Sequence, residues 1–241
     1  MFTDSENPTM TVYRRGEGAT SEVEVPALSE SLLGQGQIGA VRRITLSRGE
    51  GKEPWHFAYK KFDRPDPDRG IKAVDINSIL ISLPHGREYA LPTLRYAHEG
   101  LFMTDLSEGG RNLVVSTNDN PTATMNEAQR INKDNPHFIS NFITNTNIGG
   151  DRGSWERDFD HRAELIAEET ASAGIKLAGD SIFVVIYPDG EYRLRIVDLD
   201  NVHHNPNLPA YELKENNIKA IQDSKPLMLR LWAALLRETK K

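Results

Sequence analysis

No cysteine occurs among the 241 residues, which excludes disulfides, thiolate metal sites and a cysteine nucleophile. Basic side chains are in deficit too: 29 Lys and Arg stand against 35 Asp and Glu, a formal charge of −6. Neutralising a nucleic-acid backbone takes clustered cations, so no nucleic-acid partner is expected. The chain also lacks any apolar run long enough to span a bilayer, and Met1 to Pro8 has neither a basic start nor an apolar leader segment. Cytoplasmic residence is therefore the expectation, with export by a route that cleaves no signal left open. Against these absences, 38% hydrophobic residues suffice for a real core, in one large domain or a two-lobed unit.

The most informative stretch is residues 32 to 61. Gly34, Gly36 and Gly39 are followed by Val41 and a strand-like run to about Ser47. Glycines at this spacing let backbone N–H groups approach a phosphate chain that a side chain would hold off. A polar turn then leads to His56-Phe57-Ala58-Tyr59-Lys60-Lys61-Phe62, where strand alternation puts Ala58 and Lys60 on one face and Lys61 on the other. A dinucleotide-binding fingerprint would need a helix after the glycines, and Val41 to Leu46 reads as a strand instead. An ordinary glycine-rich hairpin turn is the plain alternative.

These residues resemble the protein-kinase-like superfamily: Gly34 to Val41 fits its glycine-rich loop GxGxxGxV, and Ala58-Tyr59-Lys60 fits the strand that supplies its ATP-binding lysine. The resemblance implies an α+β, two-lobed fold, with a small antiparallel sheet and one helix in the N-lobe and a reduced, mainly helical C-lobe. Residues 1–30 would be an extension covering the small lobe, 31–106 the N-lobe and hinge, and 107–241 the C-lobe, with an Asn/Thr-rich insertion at 111–153. Apolar residues at near-helical spacing predict a helix over Ile71 to Leu83, ended by Pro84. In the family this helix carries an acidic partner for the lysine, a position for which Asp75 is the nearest candidate. Tyr89 to Tyr96 and Leu101 to Thr104 read as two strands about His98-Glu99-Gly100. By the resemblance Met103 borders the adenine, and Thr104, Asp105 and Leu106 form the hinge.

Beyond the hinge, Thr124 to Ile131 and Phe138 to Ile143 read as short helices and Thr144 to Gly153 as a loop. Ser154 opens a longer helix with Phe159, Ala163, Ile166, Ala167 and Thr170 on its inner stripe. Ile182 to Tyr187 and Glu191 to Val197 make a hairpin about Pro188-Asp189-Gly190, and its second strand delivers Asp198-Leu199-Asp200. Tyr211 to Gln222 and Pro226 to Thr239 are helical stretches. Phosphoryl transfer needs oxygen ligands for Mg2+ and a group that positions the acceptor hydroxyl. Asp198 resembles the metal-binding aspartate of the family's Asp-Phe-Gly segment, with Asp200, a further candidate metal ligand, where glycine is usual. Asp180, the one carboxylate in the loop 175–181, is the candidate for orienting the acceptor, with a metal-ligand role second.

The segment Gly179 to Phe183 also looks like the inositol-polyphosphate kinase branch. That branch's PxxxDxKxG has no full match here: Asn112 to Asp119 lacks the lysine, and Asp119 is displaced. His203-His204 follows the aspartates closely, although vicinal histidines are more often simply exposed. The expected cofactors are ATP and Mg2+, and the expected activity is phosphotransfer to a hydroxyl of a small molecule or of an unusual protein acceptor. A pseudokinase that binds nucleotide or a protein partner without turnover is the second reading, since the His-Arg and Asn of the catalytic loop are missing.

Overall fold

Ile44 and Leu46 alternate along one stretch and Trp55, Phe57 and Tyr59 along the next, each giving a strand with one apolar face, and the computed structural model folds both into the middle of an antiparallel sheet. It describes all residues except 1–8, 17–18, 37–38, 48–49, 65, 98–99, 118, 147–150 and 239–241. The chain forms two compact units, Met1–Gly70 with Thr93–Gly109, and Ile71–Pro92 with Gly110–Lys241. Both contain antiparallel sheet, and the second also holds long helices, so the class is α+β.

The first unit contains β1 (Thr9–Gly16), β2 (Ala19–Gly36), β3 (Gly39–Leu46) and β4 (Trp55–Phe62), then β5 (Leu94–Ala97) and β6 (Gly100–Thr104). They form one six-stranded sheet in the order β1-β2-β3-β4-β6-β5. β2 is long and changes partner along its length. Residues 19–26 pair with β1, and 27–36 pair with β3 across two register shifts. Ile44, Leu46 and Tyr59 pack with Trp55, Phe57 and Phe102 as a hydrophobic cluster on one face of the sheet. Phe57 and Phe102 lie with ring centroids 4.5 Å apart.

In the second unit, α1 (Pro67–Ser82) continues from Ile71 with Ala73, Ile76 and Leu80 buried. The strand predicted over Tyr89 to Tyr96 starts only at Leu94. Tyr89 instead ends a single helical turn, α2 (Gly86–Tyr89), and Asn77 takes up both backbone groups of Leu91, donating to its carbonyl at 3.0 Å and accepting from its N–H at 3.2 Å. A residue whose polar groups are met in this way is not available to a ladder.

The rest of the unit is β7 (Leu113–Ser116), α3 (Pro121–Asp134), α4 (Phe138–Thr146), α5 (Arg152–Ser172), β8 (Ile175–Lys176), β9 (Ile182–Ile186), β10 (Tyr192–Ile196), β11 (His203–His204), α6 (Ala210–Gln222) and α7 (Lys225–Glu238). β7 and the predicted hairpin make a sheet in the order β10-β9-β7, while β8 pairs with β11. β9 is central, which accounts for its almost unbroken apolar sequence. α5 starts two residues before Ser154, because Asp151 serves as its N-cap and accepts the Ser154 N–H at 3.0 Å. Its predicted inner stripe is buried, with Trp155 added, and Trp155 and Phe159 gather around Tyr192. Full burial of a ring such as Phe159 contributes roughly 2–3 kcal/mol. The asparagines of α4 have a structural use: Asn141 donates to the Pro188 carbonyl at 3.0 Å and Asn145 donates to that of Asp189, fastening the β9–β10 turn.

Candidate functional site

Register decides which residues share a face. Gly34 pairs with Val41, Val41 with Lys60, and Lys60 with Leu101, so these four form one row across four strands. The neighbouring rows are Gly36 with Gly39 and Phe62, and Arg43 with Ala58 and Met103. Directly paired residues of an antiparallel sheet project to the same side. Gly34, Gly36, Gly39, Val41, Ala58, Lys60 and Met103 therefore stand on one face, the one opposite the aromatic cluster. Gln37 and Ile38, which join the glycine-bearing strands, lie outside the described residues. Lys60 is 6% exposed and Ala58 and Met103 are also buried. A lysine in the row of Gly34 and a small residue two positions before it are the residue types that a phosphate and a flat base would use.

The predicted hinge behaves differently from its neighbours. Asp105 does not present its carboxylate outward. It is 3% exposed and accepts from Arg43 Nε at 2.7 Å, from the Ser107 hydroxyl at 2.6 Å, from the Ser107 N–H at 3.0 Å and from the Gly109 N–H at 3.1 Å. Burial alone would raise its pKa, but the Ser107 hydrogen bond, the Arg43 charge and the Gly109 N–H outweigh it and hold the carboxyl below the usual range. Leu106 is half-buried beside it. Asp75, the predicted partner for the lysine, is an exposed residue of α1 and belongs to the second unit.

The acidic residues gather at one rim of the three-stranded sheet. The β9–β10 ladder runs to Ile182 opposite Ile196 and is extended by the Val197 N–H, which donates to the Ser181 carbonyl at 2.7 Å. Beyond this bond the ladder stops: Asp180 lies in the 3₁₀ turn Gly179–Ser181 that precedes β9, and Asp198 follows β10 at the same end of the hairpin. Asp198 has a left-handed backbone, φ 54°, a conformation few residues other than glycine adopt. Asn201 donates to its carboxylate at 2.7 Å, and Asp200 is buried in the short 3₁₀ turn that follows. Strain of this kind at the exit of a strand is a frequent companion of function.

The exit of β7 reaches the same rim, since Ser116 pairs with Phe183 and the Thr117 hydroxyl donates to the Gly179 carbonyl at 3.4 Å. Asp119 follows. It accepts the Ser116 N–H at 2.7 Å, and although the residue has exposed surface, desolvation of its carboxyl raises its pKa.

Among the described residues, no three His, Asp or Glu side chains converge as a preformed metal cage. Asp180 and Asp198, at the same end of the hairpin, are the residue types that Mg2+ uses, an ion that keeps several waters and takes one or two carboxylates plus phosphate oxygens. His203 and His204 pair with Lys176 and Ile175 in a two-stranded ladder and are exposed. A cavity of about 560 Å³ lies elsewhere in the second unit, at the Tyr192 end of β10, and no predicted site residue lines it. There Asp158 accepts from the Tyr192 hydroxyl at 2.7 Å and from Arg162 Nε at 2.9 Å, so its charge is met within the chain. Among the described residues, no helix is long and apolar enough to cross a membrane.

Sequence reasoning missed Arg43 as a member of the Lys60 face. The signal was present: it stands two residues after Val41, hence on the same side of the strand. No family model matches the sequence, and no curated protein matches it.

Proposed function

We propose that the protein is an ATP- and Mg2+-dependent phosphotransferase of protein-kinase-like architecture, acting on a hydroxyl of a small molecule or an unusual protein acceptor. The observation that carries this reading is the shared face of Gly34, Gly36, Gly39, Val41, Ala58, Lys60 and Met103. A chance glycine hairpin has no reason to align its glycines with a buried lysine two strands away. Further support comes from the order of elements: the glycine hairpin, the lysine strand paired to its second arm, a helix, a strand returning beside the lysine strand, and later a strand that ends in aspartate.

Backbone N–H groups of the glycine hairpin donate to phosphate oxygens, and the Lys60 ammonium neutralises part of their charge. Asp198, with Asp180 second, contributes oxygen ligands for Mg2+, which when bound offsets charge on the phosphates. Asp180 orients the acceptor hydroxyl and takes its proton as the acceptor oxygen bonds to the terminal phosphorus and the bond to the ADP oxygen breaks. Asn201 keeps the Asp198 carboxylate oriented.

The pseudokinase reading stays as the second, on one observation. Val185, which stands at the catalytic-loop asparagine position when the loop is counted back from Asp198, is 0% exposed within β9 and offers no ligand atom. Incubation with γ-labelled ATP and Mg2+ separates the two. Release or transfer of label by the wild type but not by Asp198→Ala supports the phosphotransferase; equal label from both removes Asp198 from the chemistry.

A further inference from the structure

β10 is an edge strand of the three-stranded sheet, with β9 as its neighbour. The Glu191 carbonyl accepts from the Tyr187 N–H, and the Val197 N–H donates to the Ser181 carbonyl. Residues 191 and 197, and by alternation Arg193 and Arg195 between them, therefore turn their backbone groups to β9. Tyr192 and Leu194 turn theirs the other way, to the open edge. Among the described residues, no backbone or side-chain group bonds to them there. Such groups are rarely left without a partner, and an edge that carries them is a template for another strand.

Two cavities, of about 560 Å³ and about 310 Å³, lie along this strand. Gly190, Glu191 and Tyr192 line the larger, and Glu191, Arg193 and Leu194 the smaller. Successive residues of a strand point to opposite faces, so walls that draw on both kinds follow its edge. Tyr192 and Leu194 are buried because their side chains turn to α5: the Tyr192 ring packs on Trp155 and Phe159, and Leu194 borders the smaller cavity with Leu165 and Ile166. Trp155, in the wall of the larger cavity, is 3% exposed, and its indole N–H meets no acceptor. Glu191 and Arg193 stand on the other face of the strand and form no ion pair among the described residues; Arg193 lies over the Tyr187 ring at 5.2 Å.

We infer that the β10 edge is a binding site for an extended peptide segment of a partner protein, which joins the sheet as an antiparallel strand. The peptide backbone completes the hydrogen bonds that Tyr192 and Leu194 leave open. Register fixes the side chains it carries. Opposite Leu194 stands an apolar residue, against Leu165 and Ile166; the next, opposite Arg193, is acidic; the next, opposite Tyr192, is small and polar; and the fourth, opposite Glu191, is basic. A second copy of the chain is a poorer occupant, since it brings its own α2 and α5 against the same edge. Nucleotide binding plays no part in this site.

The probe is the peptide Thr-Leu-Asp-Thr-Lys-Thr, labelled with fluorescein at its N-terminus and amidated at its C-terminus, titrated with the full chain and followed by anisotropy. Saturable binding is expected, with a Kd of about 100 µM or tighter. N-methylation of the central Thr, whose N–H faces Tyr192, should weaken it about tenfold or more, and N-methylation of the Asp, whose N–H faces away, by less than about threefold. The charge-swapped peptide Thr-Leu-Lys-Thr-Asp-Thr should bind the wild type about fivefold more weakly and recover on Glu191→Lys/Arg193→Glu, whose melting temperature confirms folding. No saturation, equal sensitivity to the two N-methylations, or a charge-swapped peptide that binds both proteins alike overturns the inference. A wild-type dimer in sedimentation that Glu191→Lys/Arg193→Glu makes monomeric also overturns it, by giving the edge to a second copy.

Discussion

The Val197 N–H donates to the Ser181 carbonyl at 2.7 Å, one bond beyond the last ladder pair, so Asp198 leaves β10 at the end of the hairpin where Asp180 precedes β9. Two aspartates eighteen positions apart in the chain thus flank the two strands of one hairpin, at the end away from its Pro188-Asp189-Gly190 turn. Their placement at one end follows from the hairpin connection.

The left-handed backbone of Asp198 allows chemistry and strain to be separated. A non-glycine residue in that region costs about 1–2 kcal/mol, which glycine avoids. Asp198→Gly is therefore expected to melt close to the wild-type temperature, since relief of strain offsets loss of the Asn201 hydrogen bond. Asp198→Ala keeps the strain, loses the bond, and melts lower. If the proposed phosphotransfer holds, both should lose labelled-phosphate transfer by about a hundredfold or more, because each lacks the carboxylate assigned to the metal. Calorimetric melting alongside the transfer assay checks the pattern.

The loop bearing Asp180 is anchored through Asn217. This residue is 0% exposed; its carbonyl oxygen accepts the Leu177 N–H at 2.8 Å, and its amide donates to the Ile175 carbonyl at 2.8 Å and to the Thr170 hydroxyl at 2.9 Å. Asn217→Ala strands those groups without partners and is expected to cost roughly 2–4 kcal/mol in urea unfolding. A loss below ~1 kcal/mol would show that the loop is held some other way.

Gly190 has φ 86°, and a Cβ there would lie 2.3 Å from the backbone carbon of Asn141. The clash is with main chain, which cannot turn aside as a side chain tip can. Gly190→Ala should destabilise by about 3 kcal/mol or more, combining left-handed strain with displacement of α4. Gly51 is the matched control, with φ 72° but nothing within 4 Å, so Gly51→Ala should cost only about 1 kcal/mol.

A pH-dependent clasp ties the α1–α2 connection to α5. Glu169 accepts from the His85 ring at 2.7 Å and from the Tyr89 hydroxyl at 2.6 Å, and also from the His85 backbone N–H. The Glu169 hydrogen bond raises the His85 pKa above 6.5 against some desolvation, with the charges of Glu169 and Glu88 adding to it. Burial would raise Glu169, but the Tyr89 and His85 hydrogen bonds outweigh it and lower its pKa below 4.5. His85 therefore contributes stability that is complete below pH 6.5 and is lost as pH rises through its raised value. Glu169 contributes stability that is complete above pH 4.5 and is lost as pH falls through its lowered value. The melting-temperature gap between wild type and His85→Gln should be widest near pH 5.5 and narrow by about pH 8.5. A gap that is flat across this range would mean the clasp does not depend on the histidine charge.

How much of this could be read in advance depends on the range of the interaction. The glycine hairpin, the Ala58–Lys60 strand and the turn at Gly190 declare themselves through local chemistry, and local chemistry fixes them in the fold. β7 did not, because Leu113 to Ser116 is short and flanked by polar residues; it is a strand because the edge of β9 offers it a ladder. The strand expected from Tyr89 failed for a tertiary reason, the capture of Leu91 by Asn77. α1 was legible as an amphipathic helix, but amphipathicity does not say which core a helix joins, and from Ile71 it lies in the second unit. The Arg43–Asp105 pair spans 62 positions. Only the placement of a charge on the Lys60 side of β3 hinted at it.

The most direct test of the account is calorimetric titration of the wild type and Lys60→Ala with ATP, each in the presence and absence of Mg2+. A phosphotransferase built on this sheet face predicts saturable, one-to-one binding by the wild type that Mg2+ strengthens and that Lys60→Ala weakens by about a hundredfold. Binding unchanged by both Mg2+ and the substitution, or no binding at all, would contradict it.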